Sequence, residues 1–66
     1  MMKNKDLTFV EAVEAMMKGK LCRPIQQPVS FSWKYELGEF YVINDFGTVR
    51  SSFSLGHYLE KWEIVE

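Results

Sequence analysis

One histidine, one cysteine and a few serines are the residues able to attempt covalent chemistry in this 66-residue chain. His57 stands close in sequence to Ser51, Ser52 and Ser54, and a nucleophilic serine needs such a base. Any chain of this size with one histidine would show that grouping, so a hydrolytic triad is not expected. Cys22 lies beside Leu21 in an apolar stretch, where cysteines pack as inert small hydrophobes. A single cysteine excludes an internal disulfide, and no Cys/His cluster has the spacing of a zinc site. Neither a phosphate loop nor a dinucleotide-binding glycine pattern occurs. The expectation is a protein that is not an enzyme and carries no cofactor.

Binding chemistry is better represented. Aromatic residues make up 15% of the chain, and charge is distributed unevenly around a net of −1. Residues 15–35 carry Lys18, Lys20, Arg23 and Lys34 with no acid, a balance of +4, whereas residues 36–66 balance to −4. A binder of duplex DNA would carry a large basic excess overall, and that class is excluded. A local basic zone suits a small anion, although a solvated charged surface is the plainer account. Aromatics beside Lys or Arg suit a nucleotide, whose base stacks while its phosphates pair with the cations. They suit a protein interface equally well, since interface cores are rich in Tyr, Trp and Arg.

The elements that position these residues read as follows. Thr8 and Glu11 have the spacing of a capping box, and Phe9, Val10, Ala12, Val13, Met16 and Met17 share one arc of a helix over residues 9–18. Gly19 suits the position just past its end. A short strand, 20–23, should end at Pro24, and residues 25–28 read as a loop. Val29 to Tyr35 alternates apolar and polar, hence a strand with one greasy face. A turn over 36–39 leads to a strand at 40–43, a four-residue connection at 44–47 and a returning strand at 48–53. Ser54 precedes a short helix at 55–60, and 62–65 closes the chain as a strand with Trp62 and Ile64 on one face. The fold class is α+β: one domain, with the N-terminal helix packed on one face of an antiparallel sheet of four to five strands.

A ten-residue helix cannot cover both faces of that sheet, so part of the aromatic surface is expected to meet another subunit, a partner or a flat ligand. The plainer account of Phe31, Trp33 and Tyr35 is that they lie beneath the helix. Chains below ~70–80 residues usually add a disulfide, a metal or a partner subunit to a small core. The first two are not available here, so a homo-oligomer, dimer or tetramer, is expected. The chain shows no membrane-spanning run and no signal-peptide core, which reads as a cytoplasmic protein without a membrane partner.

Two stretches resemble a known family. Residues 7–23, from Leu7-Thr8-Phe9 to Leu21-Cys22-Arg23, and residues 55–66, ending Trp62-Glu63-Ile64-Val65-Glu66, are similar to the two ends of a family of small phage and prophage proteins that includes the Thoeris anti-defence two proteins. The resemblance implies an α+β homotetramer that sequesters a cyclic nucleotide-type immune signal between subunits without cleaving it. The implied ligands are glycocyclic ADP-ribose molecules and, for some members, cyclic di- or trinucleotides. Arg23 and Trp62 fall on matched positions. Where the family places a tryptophan shortly after that arginine, this chain has Pro24-Ile25-Gln26-Gln27, and the next tryptophan is Trp33. The middle of the chain is also shorter.

The expectation is therefore a phage-type anti-defence protein of the host-cell cytoplasm that captures a small anionic nucleotide at a subunit interface. Lys20, Arg23 and Arg50 would pair with phosphates, Trp33 or Tyr35 would stack on a base, and Asn44 or His57 would read polar edges. The alternative is a small inhibitor or adaptor that masks a host defence protein through an exposed aromatic face.

Overall fold

A computed structural model describes residues 4–26 and 31–65. The chain runs α1 (Phe9–Met17), β1 (Cys22–Pro24), β2 (Ser32–Glu36), β3 (Glu39–Asn44), β4 (Gly47–Arg50), α2 (Leu55–Leu59) and β5 (Trp62–Ile64). The α+β class and the order of elements are those the sequence predicts. Val29 and Ser30 of the expected second strand, and Gln27 and Pro28 of the expected loop, lie outside the described residues.

The capping box forms: the Thr8 hydroxyl accepts from the Glu11 N–H at 3.2 Å, and Glu11 Oε1 accepts from the Thr8 N–H at 2.9 Å. At the other end, Gly19 at φ 93° closes a Schellman motif. Its N–H donates to the Met16 carbonyl at 2.9 Å and the Lys20 N–H to the Ala15 carbonyl at 3.1 Å. The helix is one residue shorter than expected because Lys18 serves as its C-cap.

The sheet is antiparallel in the order β4-β3-β2-β1-β5. Pro24 belongs to β1 rather than terminating it, opposite Trp62 of β5. The Ile25 N–H donates to the Lys61 carbonyl, so the alternation of the ladder turns the nitrogen of Pro24 toward β2. On that side the β1–β2 pairing is confined to Cys22 and Trp33, and no ladder bond is lost. Both hairpin connections are tighter than expected. Glu36 pairs with Glu39 across Leu37-Gly38, and Asn44 pairs with Gly47 across Asp45-Phe46. The strand expected over 48–53 ends at Arg50, because the chain then crosses to the helix side to pack Phe53 against the core.

Period-2 alternation divides the sheet into two faces. Cys22, Pro24, Trp33, Tyr35, Phe40, Val42, Trp62 and Ile64 point toward the helices, and α1 packs over β1, β2 and β5. Leu7, Ala12, Ala15, Met16, Cys22, Trp33 and Trp62 form one buried core. The half-buried Phe53 ring packs against this core, stacked on Trp33 at 4.3 Å and edge-on to Phe9 and Phe40 at 4.8 Å each. The aromatic residues on the helix side of the sheet are covered, whereas Tyr41 stands on the other face and Phe46 at the β3–β4 turn is 99% exposed, so part of the expected aromatic surface remains open. Phe53, in the segment before α2, extends the cover given by α1 to Phe40 of β3.

Candidate binding surface on the sheet

The nominated residues fall on opposite sides of the sheet. Trp33, 4% exposed, lies beneath Phe53 and presents no free ring face for a base. Tyr35 is on the same side, half-buried against Phe40 at 5.0 Å. His57, in α2, packs edge-on to Trp33 at 5.1 Å, and its Nδ1 accepts the Ser54 N–H at 2.9 Å. The His57 carbonyl accepts the Trp62 indole N–H at 3.0 Å. Asn44 Oδ1 is taken by the Phe46 N–H at 2.8 Å, which fastens the β3–β4 turn. These four do structural work, and the stacking role expected of Trp33 is not available in this fold.

The cations on β1, β2 and β4 project from the other face. Arg23, Lys34 and Arg50 alternate with the inward residues Cys22, Trp33 and Val49, so all three point away from the helices. Each has a carboxylate beside it. Arg23 Nε donates to Glu63 Oε2 at 2.6 Å across β1 and β5, with both side chains mostly buried. Lys34 Nζ lies 2.9 Å from Glu36 and Arg50 lies 3.3 Å from Glu39. Lys20 is exposed beyond α1, apart from this array.

Sequence reasoning missed the row that joins these cations. Lys34 pairs with Tyr41, and Tyr41 pairs with Arg50, across β2, β3 and β4. Tyr41 thus stands between the two cations in the sheet register, with Lys34 Nζ over its ring at 5.8 Å from the centroid. Arg50 is the most exposed of these groups and lines an open polar cleft with Glu39, Ser51 and Ser52. A two-residue reading of the Leu37-Gly38 turn fixes this register from the sequence. A four-residue turn leaves it open, and Phe40-Tyr41-Val42-Ile43 does not alternate in a way that assigns Tyr41 a face.

The remaining reactive group is inward. The Cys22 thiol is buried, 3.7 Å from the Ala12 carbonyl, and burial pushes its pKa up from 9.0 to about 11. Among the described residues no group of three or more His, Cys, Asp or Glu is placed to hold a metal, and no helix is long and apolar enough to cross a membrane. No family model, curated protein or solved structure matches this chain.

Proposed function

We propose that this chain is a non-enzymatic, phage-type anti-defence protein that sequesters a small anionic nucleotide signal on the open face of its sheet, at an interface between copies. The Lys34–Tyr41–Arg50 row carries this reading. A tyrosine ring between two cations, on a face left clear by the helices, has the parts that nucleotide capture uses: a stacking surface and phosphate partners on either side. Glu36 and Glu39 hold the two cations in place until a phosphate displaces them, so binding is expected to weaken with salt. Arg23 is engaged with Glu63 and is assigned to the β1–β5 joint. Trp33, Tyr35, Asn44 and His57 are assigned to the fold. The resemblance of residues 7–23 and 55–66 to signal-sequestering phage proteins supports the same ligand class. Capture without turnover fits a thiol held neutral in the core and a histidine occupied by Ser54.

A thermal-shift titration with a panel of cyclic dinucleotides, cyclic trinucleotides and ADP-ribose derivatives tests the reading. Binding stabilises the fold by RT ln(1 + [L]/Kd), about 4 kcal/mol at a thousandfold excess over Kd. Tyr41→Ala and Arg50→Ala are expected to abolish the shift while leaving the ligand-free melting temperature within a few degrees. If no member of the panel moves the wild-type transition, nucleotide capture is wrong.

A second reading has its own observation. Phe46 at the β3–β4 turn is 99% exposed, and Leu55 and Leu59 stand open on α2. A masking protein would seat such residues in a host target, and Phe46→Asp would then abolish host-protein binding while Tyr41→Ala would not.

A further inference from the structure

The two edges of the sheet are treated differently. The outer edge of β5 is sealed by the chain itself: Leu7 and Trp62 exchange N–H to carbonyl bonds at 2.9 Å, and the Ile64 N–H donates to the Asn4 carbonyl at 2.8 Å. β4 stands at the opposite edge, with β3 as its single neighbour in the sheet among the described residues. Asn44 and Gly47 close the two-residue turn, and the Ser51 N–H donates to the Phe40 carbonyl at 3.1 Å. The alternation of an antiparallel ladder then turns Gly47, Val49 and Ser51 toward β3, and the backbone groups of Thr48 and Arg50 outward. Nothing in Gly47-Thr48-Val49-Arg50 has the devices that protect an edge, such as a proline, a lysine or an inward-pointing charge. The one charge, Arg50, is countered from β3 by Glu39.

We propose that this edge is the self-association surface of the protein: β4 pairs antiparallel with β4 of a second copy about a two-fold axis through Val49. The edge pattern selects this occupant and this register. A two-fold axis perpendicular to the sheet keeps like faces together, so the two residue numbers of each facing pair must sum to an even number. With Val49 facing Val49, Thr48 faces Arg50 of the second copy twice over. All the outward N–H and carbonyl groups of both residues are then satisfied, and no like charges stand opposite each other. Centring on Arg50 instead would set the two guanidinium groups face to face. Centring on Thr48 would call on the Phe46 N–H, which Asn44 already holds. Val49 is 57% exposed on the helix side beyond the reach of α1, and its apolar surface is covered by its symmetry mate. The same rotation brings the exposed Phe46 beside Ser52 of the second copy.

Pairing in this way makes one sheet of ten strands. On its open face the Lys34–Tyr41–Arg50 row of one copy continues into Thr48 and Ile43 of the other. This association rests on the edge alone and requires no ligand, so its test is run without nucleotide.

Sedimentation of the full chain is expected to show a concentration-dependent dimer or a multiple of it. Thr48→Pro removes an outward N–H without touching the β3–β4 ladder, and proline is tolerated where its nitrogen faces away from the sheet. It is expected to weaken association at least tenfold with the circular dichroism spectrum retained. Val49→Cys provides a second readout that does not depend on the proline variant folding. Facing residues of a non-hydrogen-bonded pair have Cα atoms ~4.5 Å apart, within disulfide range. Mild oxidation is therefore expected to give a covalent dimer, whereas Met17→Cys on the outer side of α1 stays monomeric on a denaturing gel. A wild-type chain that is monomeric at high concentration overturns the proposal. So does a dimer in which Val49→Cys fails to cross-link.

Discussion

At the scale of single residues, the aromatic side chains that look most suited to ligand stacking have been spent on the core. Trp33 is sandwiched among Phe53, His57 and Trp62. Trp33→Ala is therefore expected to lower stability by ~3–5 kcal/mol in urea titration, the range for truncating a large buried ring, rather than to remove ligand binding from an intact fold. Cys22 shows the same economy. Its thiol pKa stands above the unfolded value, so the folded state is favoured while the thiol is neutral, and that contribution is lost as pH rises from 9.0 through about 11. Melting temperature followed from pH 8 to 10.5 is expected to fall more steeply for the wild type than for Cys22→Ala. The period-2 pattern does identify Trp33 and Tyr35 as the greasy face of β2, whereas Phe31 precedes that strand and is exposed. That Phe53, twenty residues further on, lies over Trp33 is a long-range contact that local patterning does not encode.

At the scale of elements, local chemistry predicts best where both ends of an element are marked. The capping box and Gly19 delimit α1 to within a residue, because each supplies partners for backbone groups that a helix end would otherwise leave unmade. Strand ends carried weaker marks, and β1 took in Pro24 because its neighbour had already departed. The β2–β3 turn shows a local conflict. Leu37 has φ 54° and Gly38 φ 83°, as a type I′ turn requires, and Leu37 is 91% exposed with nothing to gain from its side chain. A non-glycine residue in this conformation costs about 1–2 kcal/mol, and Asn accommodates it far better than Leu. Leu37→Asn is expected to stabilise the protein by about 1 kcal/mol, read as a higher denaturant midpoint with an unchanged slope. It would also tighten the hairpin that sets Lys34 against Tyr41.

At the scale of the whole molecule, sheet order is what the sequence conceals. The meander β2-β3-β4 follows from its two tight turns, but the place of β1, between β2 and the last strand, depends on pairing across the length of the chain. That order decides the site, since it sends Arg23 to Glu63 and leaves Lys34, Tyr41 and Arg50 as a separate row across β2, β3 and β4. α1 secures the half built from β1, β2 and β5, and leaves the β3–β4 hairpin without a helix above it. Amide hydrogen exchange is expected to reflect this division. The β1–β5 amides should exchange by global unfolding, and those of β3–β4 faster through local opening, with protection of the Thr48 and Arg50 amides rising with protein concentration if the edge is paired.

The joint between β1 and β5 also bears on how the chain reaches this structure. Arg23 and Glu63 are separated by forty residues, and the strands they belong to have three residues each. The two hairpins can form early, from neighbours in sequence, while the last ladder must wait for a long loop to close before any of its bonds compensate the lost chain entropy. Folding is thus expected to be limited by the capture of residues 62–64. Until those residues arrive, β1 remains an open strand beside a finished meander, so the most aggregation-prone moment in the life of this small protein falls just before its final strand docks.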